Sequence, residues 1–206
     1  MPTSVRVLGI DPGLTRCGVG VVDVVHRTPS LVHVDVLRSD ASEPIEQRLL
    51  HIGRGIEAAI DAHRPNAIAL ERVFAQANLR SVMGVAQISG IVLRAAAERE
   101  IPISLLTPTE VKAAVTGYGA ADKRQVGEMV RRLLRLELPP KPADAADALA
   151  IAIAEGWRAR TAVRPGAASR GAGGNEPAGA ASAGQTPAQR AWAAAEAAAT
   201  APRRRG

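Results

Sequence analysis

The chain has 206 residues and a mass of 21.4 kDa, with 47% hydrophobic and 22% charged side chains, the balance of one soluble globular domain with room for a tail. A single cysteine, Cys17, excludes an internal disulfide and a cysteine-based zinc cluster. No apolar run reaches the roughly 18 residues of a membrane span, so a reducing, cytoplasmic setting is expected. The net charge of +6 suggests an acidic polymer as partner, but six arginines and two glutamates lie beyond Arg160, so that segment carries +4 and the first 160 residues only +2.

In chain order, VRVLGI (5–10), CGVGVVDVV (17–25) and LVHVDVLR (31–38) read as three consecutive strands, the last two joined by a turn at Thr28-Pro29-Ser30. From Glu43 to His63, Ile45, Leu49, Ile52, Ile56 and Ile60 recur at three- and four-residue steps, which predicts an amphipathic helix. AIALE (67–71) is a short buried strand. Asn78 is placed to cap a long helix running to about Arg99, and IPISLL (101–106) is the fifth strand. Three more helices follow, over Thr109–Val115, Asp122–Leu136 and Ala143–Arg160. Residues 161–206 are dominated by Ala, Gly, Pro and Arg, cannot bury enough apolar surface to offset ordering entropy, and read as a disordered tail, with one helix-prone stretch from Gln189 to Thr200. The order βββαβαβααα describes an α/β domain over residues 1–160, a mixed five-stranded sheet flanked by helices; this is the ribonuclease-H-like order, which periodicity alone does not separate from other α/β layouts.

Four acids stand out within these elements. Asp11, in GIDPG, and Glu71, in AIALE, each close an apolar strand, where a carboxylate is half desolvated and faces the crevice at the sheet edge. Either one alone reads as a turn or capping residue. Asp144 and Asp147, in PADAADALAIAIA, lie three apart at the start of a helix and so share one face. Asp144 also suits a first helical turn, but Asp147 sits among Ala and Leu, where an unpaired carboxylate is costly. Four hard oxygen donors without a His or Cys set favour Mg²⁺ or Mn²⁺, and two such ions together support phosphodiester hydrolysis.

GIDPGLTRCGVGVV, IALERVFAQAN, VKAAVTGYGAADKRQV and PADAADALAIAI, in that order and at these intervals, resemble the RuvC family of Holliday-junction resolvases over about residues 5–157. The resemblance implies a homodimeric endonuclease, dependent on Mg²⁺ with Mn²⁺ as substitute and with two ions expected per subunit. Such an enzyme nicks two opposed strands of a four-way DNA junction symmetrically, during recombination and repair, in concert with the RuvA and RuvB branch-migration proteins. It carries over Asp11, Glu71, Asp144 and Asp147 as metal-binding catalytic acids, Phe74 as an aromatic for unstacked bases, and Lys112 and Lys123 as basic positions near the scissile phosphate. Taken without the resemblance, Phe74 reads equally as a core residue and the two lysines as solvated helix positions. The chain departs from the family at Ala86-Gln87-Ile88-Ser89-Gly90, where GQARG is frequent.

Three other classes compete with this one. An actin-like ATP-binding protein shares the acid-and-glycine turn but needs a second phosphate loop and a longer chain. A ribonuclease-H-like RNA-processing nuclease is the nearest enzyme rival, and a noncatalytic branched-DNA-binding protein would be expected to lack an acid. One acid cluster per domain and two cuts related by a twofold axis require a C2 dimer, for which Val82, Val85, Ile88 and Val92 of the long helix are candidate interface positions.

Overall fold

The protein is described by a computed structural model over residues 4–72 and 79–162. The strands are β1 (Val5–Asp11), β2 (Arg16–Val25), β3 (Thr28–Arg38), β4 (Ala67–Glu71) and β5 (Ile103–Leu106). The helices are α1 (Ile45–His63), α2 (Leu79–Glu98), α3 (Pro108–Thr116), α4 (Lys123–Leu133) and α5 (Ala143–Ala162). The sheet order is β3-β2-β1-β4-β5, with the first three strands antiparallel and β4 and β5 added parallel to β1. This is the predicted element order and the predicted mixed sheet.

Two core layers sandwich the sheet because alternate side chains of each strand face opposite ways. Val7, Val22, Val24 and Ala69 pack with Leu149, Ile151 and Ile153 of α5 on one side. Leu8, Ile10, Val19, Ile68 and Leu70 pack on the other with Ile52, Ile56 and Ile60 of α1 and Ile88 and Val92 of α2. Each fully buried Ile or Leu contributes roughly 1.5–3 kcal/mol of transfer free energy, so this aromatic-poor core is built from many aliphatic increments.

The approach of α5 to the sheet depends on glycine. A Cβ on Gly9 would lie 2.3 Å from the carbonyl oxygen of Ala148, and one on Gly18 would lie 2.2 Å from that of Asp144. The helix therefore rests on bare strand backbone, with Ala145, Ala148 and Ala152 as its own small surface. This packing sets the depth at which the first turn of α5 meets the ends of β1 and β2.

Most boundaries fall within two residues of the sequence reading, and three differences bear on the fold. Thr28-Pro29-Ser30 belongs to β3, and the reversal falls at His26-Arg27, both with positive φ (45° and 67°). Pro29 is tolerated because β3 is an edge strand. Helix α4 ends at Leu133 rather than Leu136, and α5 continues through Thr161 and Ala162, two residues past the predicted domain boundary. The remainder of the predicted tail, and Phe74, lie outside the described residues. Among the described residues no helix is long and apolar enough to cross a membrane.

Candidate active site

Asp11 and Glu71 are the last residues of β1 and β4, parallel neighbours at the sheet centre with Ile10 opposite Leu70. Ile10 and Leu70 face the α1/α2 layer, so the alternation of each strand turns the following acid toward α5. There the first turn of α5 presents Asp144 and Asp147. Asp11, Glu71 and Asp147 line one cleft of about 230 Å³ together with Pro108, Lys112 and Lys123. Asp144 lies beside it, lining a second groove of about 610 Å³ that shares Asp11 and runs past Pro12, Thr15, Arg16, Arg48 and Gly84.

The basic side chains are placed by helix caps. Thr107 and Glu110 form a capping box at the start of α3, with Pro108 in the first turn, which sets Lys112 one turn further along on the cleft side. Asp122 and Gln125 form a second capping box at the start of α4, which fixes Lys123 as its first residue. A cation is disfavoured at a helix N-terminus by the macrodipole, and the offset is local, since Lys123 Nζ donates to Asp147 Oδ2 at 2.9 Å. On the other side Arg16 Nε lies 3.1 Å from Asp144 Oδ2.

At this end of the sheet four carboxylates compete for too little positive charge. Burial first, then Glu71, Asp147 and Asp144, push the Asp11 carboxyl up to about 7, against a smaller opposing pull from Lys123. Glu71 is raised by burial and by Asp147, with Lys123 and Lys112 opposing. Cys17, buried behind Asp11, is driven up to about 12, mainly by burial, and stays a neutral thiol.

Among the described residues no three acidic, His or Cys side chains already converge as an ion cage. Asp147 is turned to Lys123 and Asp144 to Arg16, so two basic side chains occupy the carboxylates. The donor set nonetheless fits a hard divalent cation: it is all oxygen, sits half buried, and holds the Asp11 carboxyl up to about 7, first through burial and then through the neighbouring carboxylates, a load that a cation would relieve.

The family model for the crossover junction endodeoxyribonuclease RuvC matches residues 7–155. The chain belongs to the RuvC family. RuvC of Leifsonia xyli subsp. xyli is 59% identical over 194 residues, covering 94% of this chain and 92% of that protein. RuvC of Streptomyces griseus subsp. griseus is 60% identical over 155 residues, covering 75% and 76%. The solved structure of T. thermophilus RuvC in complex with Holliday junction substrate superposes with a TM-score of 0.73 at 36% identity, over 77% of this chain and 96% of that one. The yeast mitochondrial Holliday junction resolvase, at 17% identity and a TM-score of 0.55, shares the fold. The fold is therefore that of ribonuclease-H-like resolvases, and the Leifsonia alignment extends past residue 160 into the region read as a tail.

Within this RuvC fold, six of the seven sequence-derived site residues are described, and they meet at one end of the sheet. Asp11, Glu71, Asp147, Lys112 and Lys123 share a cleft, Asp144 borders it, and Phe74 is the exception outside the described residues. Two residues at this end escaped the sequence reading, Arg16 and Arg48. Arg16 follows the GIDPG turn, a position where a cation close to Asp11 was a usable signal; Arg48 carries no local signal at all.

Proposed function

We propose that the chain is a crossover junction endodeoxyribonuclease whose centre is Asp11, Glu71, Asp144 and Asp147, and that it resolves four-way DNA junctions by nicking two opposed strands during recombination and repair. The observation that carries this reading is the gathering of those acids from β1, β4 and α5 at one sheet edge, with Asp11 held up to about 7 beside two lysines. The all-oxygen donor set selects Mg²⁺, with Mn²⁺ as substitute, and four carboxylates suit two ions. When bound, such ions activate water and stabilise the leaving oxygen of the phosphodiester.

The chain's own residues do the rest. Asp11 releases its proton as a cation enters, so binding is tighter at higher pH. Lys123 and Arg16 let go of Asp147 and Asp144, which frees both cations for phosphate oxygens. Lys112, which lines the same cleft from α3, holds the scissile phosphate. Phe74 is assigned to stacking on an unpaired base at the exchange point.

The functional unit is a homodimer acting alongside RuvA and RuvB. Ile88 and Val92 are fully buried against the sheet, so they serve the monomer core rather than an interface. The outward face of α2 instead carries Met83, Ala86, Gly90, Leu93 and Ala97 at alternating three- and four-residue steps, with Met83 56% and Leu93 40% exposed. That spacing suits a seam against the same helix of a second copy.

The test is incubation of the purified protein with Mg²⁺ and a synthetic mobile four-way junction, with linear duplex and an RNA–DNA hybrid as controls. Paired, symmetric nicks in the junction alone are expected. Preferential cutting of the hybrid would replace this reading with that of an RNA-processing nuclease, and binding without cutting would replace it with that of a noncatalytic module.

A further inference from the structure

The groove on the Asp144 side of the acids contains a cation that the site described so far does not use. Arg48, in the first turn of α1, donates from Nε to Ser39 Oγ at 3.0 Å and from Nη2 to Thr15 Oγ1 at 2.9 Å. Ser39 in turn donates its hydroxyl to the Leu14 carbonyl and its N–H to the Thr15 carbonyl at 3.2 Å. The guanidinium is thus fixed to the β1–β2 turn, the segment that begins at Asp11, by acceptors that are neutral. Hydroxyls orient a cation without neutralising it.

That arrangement is unusual in this molecule. Among the described residues the half-buried arginines are Arg6, Arg48, Arg99 and Arg131. Arg6 pairs with Asp23, Arg99 with Asp61 and Arg131 with Glu128, while Arg48 forms no ion pair with a described residue. Asp40 feels its charge but is held by Ser42, and its carboxylate makes no ion pair with the guanidinium. A half-buried guanidinium with five donors, only two of them engaged, still presents a rigid fork of donors suited to two oxygens of a phosphate. It lines the same groove as Arg16, Asp11 and Asp144.

We infer that Arg48, racked by Thr15 and Ser39, contacts a backbone phosphate of the nucleic-acid strand as that strand leaves the acid cluster through this groove. The inference rests on the junction-nuclease reading and extends it by giving the cut strand a path on the α1 side, opposite Lys112 and Lys123. A phosphate contact fixes register and contributes to affinity through counterion release, so it leaves a signature in salt dependence that a bracing role does not.

The experiment measures binding of a fluorescent four-way junction by the full chain in Ca²⁺ over about 50–200 mM salt. Arg48→Gln is expected to flatten the slope of log K against log salt by about 0.9 for each phosphate left without its guanidinium, roughly 2 for a dimer, and to weaken binding ~5–10-fold per phosphate near 100 mM. Arg48→Lys, which keeps the charge, restores most of the slope. Thr15→Glu, which supplies a carboxylate to the guanidinium and keeps the turn braced, flattens the slope as Arg48→Gln does and covers the case in which the glutamine variant does not fold. A wild-type slope in folded Arg48→Gln or Thr15→Glu, with only the melting temperature lowered, would overturn the inference and leave Arg48 a brace. Failure of the wild-type chain to bind the junction at all would overturn the nuclease reading, and this inference with it.

Discussion

Asp11 shows most sharply how a single residue is tuned by its place. Its carboxyl titrates at about 7 in the folded chain against an ordinary 3.8, because burial and three neighbouring carboxylates disfavour the anion. Between about pH 4 and 7 the folded state holds a proton that the unfolded state has released, so the stability of the metal-free protein falls as pH rises through that window. The penalty is complete above pH 7 and amounts to at most about 4 kcal/mol, at 1.36 kcal/mol per pKa unit. Asp11→Asn is therefore expected to raise the melting temperature of the metal-free protein at pH 8 by several degrees, with little effect near pH 4. Calorimetric melts in a chelator at both pH values check this. An equal shift at both, or a loss of stability at pH 8, would mean that the carboxylates are not crowded as described.

Legibility at this scale followed locality. Asp11 and Glu71 were visible because each ends an apolar strand, and Asp144 and Asp147 because helical spacing puts them on one face. Arg16 carried a local signal in its place after the GIDPG turn, but its partner Asp144 comes only with the fold; Arg48 carried none, because Ser39 and Thr15 meet it only in three dimensions. Burial of Asp11 deep enough to reach a pKa of about 7 is likewise a property of the packed helix, not of the GIDPG turn.

At the scale of elements, the decisive packing is α5 on glycine backbone. Gly18 stands opposite Asp11 in the β1–β2 ladder and carries the Asp144 carbonyl at a distance no Cβ tolerates. Gly18→Ala must lift the first turn of α5, and with it Asp144 and Asp147. Overpacking of this kind costs typically about 1–3 kcal/mol. Cleavage measured well below the melting temperature is expected to fall much further than that loss explains, because the acids are displaced. Gly127→Ala in α4, where an added Cβ meets nothing within 4 Å, is the control and is expected to gain roughly 0.5–1 kcal/mol from helix propensity. Undiminished cleavage in folded Gly18→Ala would show that the depth of α5 does not set the site. Element boundaries were less legible than element order. Pro29 reads as a breaker, yet an edge strand accommodates it, while His26 and Arg27 turn the chain without any Gly or Asn to announce it.

At the scale of the whole molecule, the proposed dimer can be tested apart from the fold, because the outward stripe of α2 is distinct from the face buried on the sheet. Ile88 lies in the monomer core, so a charge there would unfold the chain and say nothing about assembly. Leu93→Glu places the charge on the exposed stripe instead. Light scattering at micromolar concentration is expected to show a dimer for the wild type and a folded monomer for Leu93→Glu, with paired nicking lost. A dimer that persists in that variant would place the interface elsewhere.

Whether Asp11, Glu71, Asp144 and Asp147 form one metal-dependent cutting centre is tested most directly by single acid-to-amide variants (Asp11→Asn, Glu71→Gln, Asp144→Asn and Asp147→Asn). Each is assayed for junction binding and for Mg²⁺-dependent nicking of the same junction. Binding is expected to stay within a few-fold of wild type, because phosphate contacts dominate affinity, while nicking falls by roughly 100-fold or more in each. A folded variant of Asp11, Glu71 or Asp147 that nicks the junction at close to the wild-type rate would contradict a single centre built from these acids.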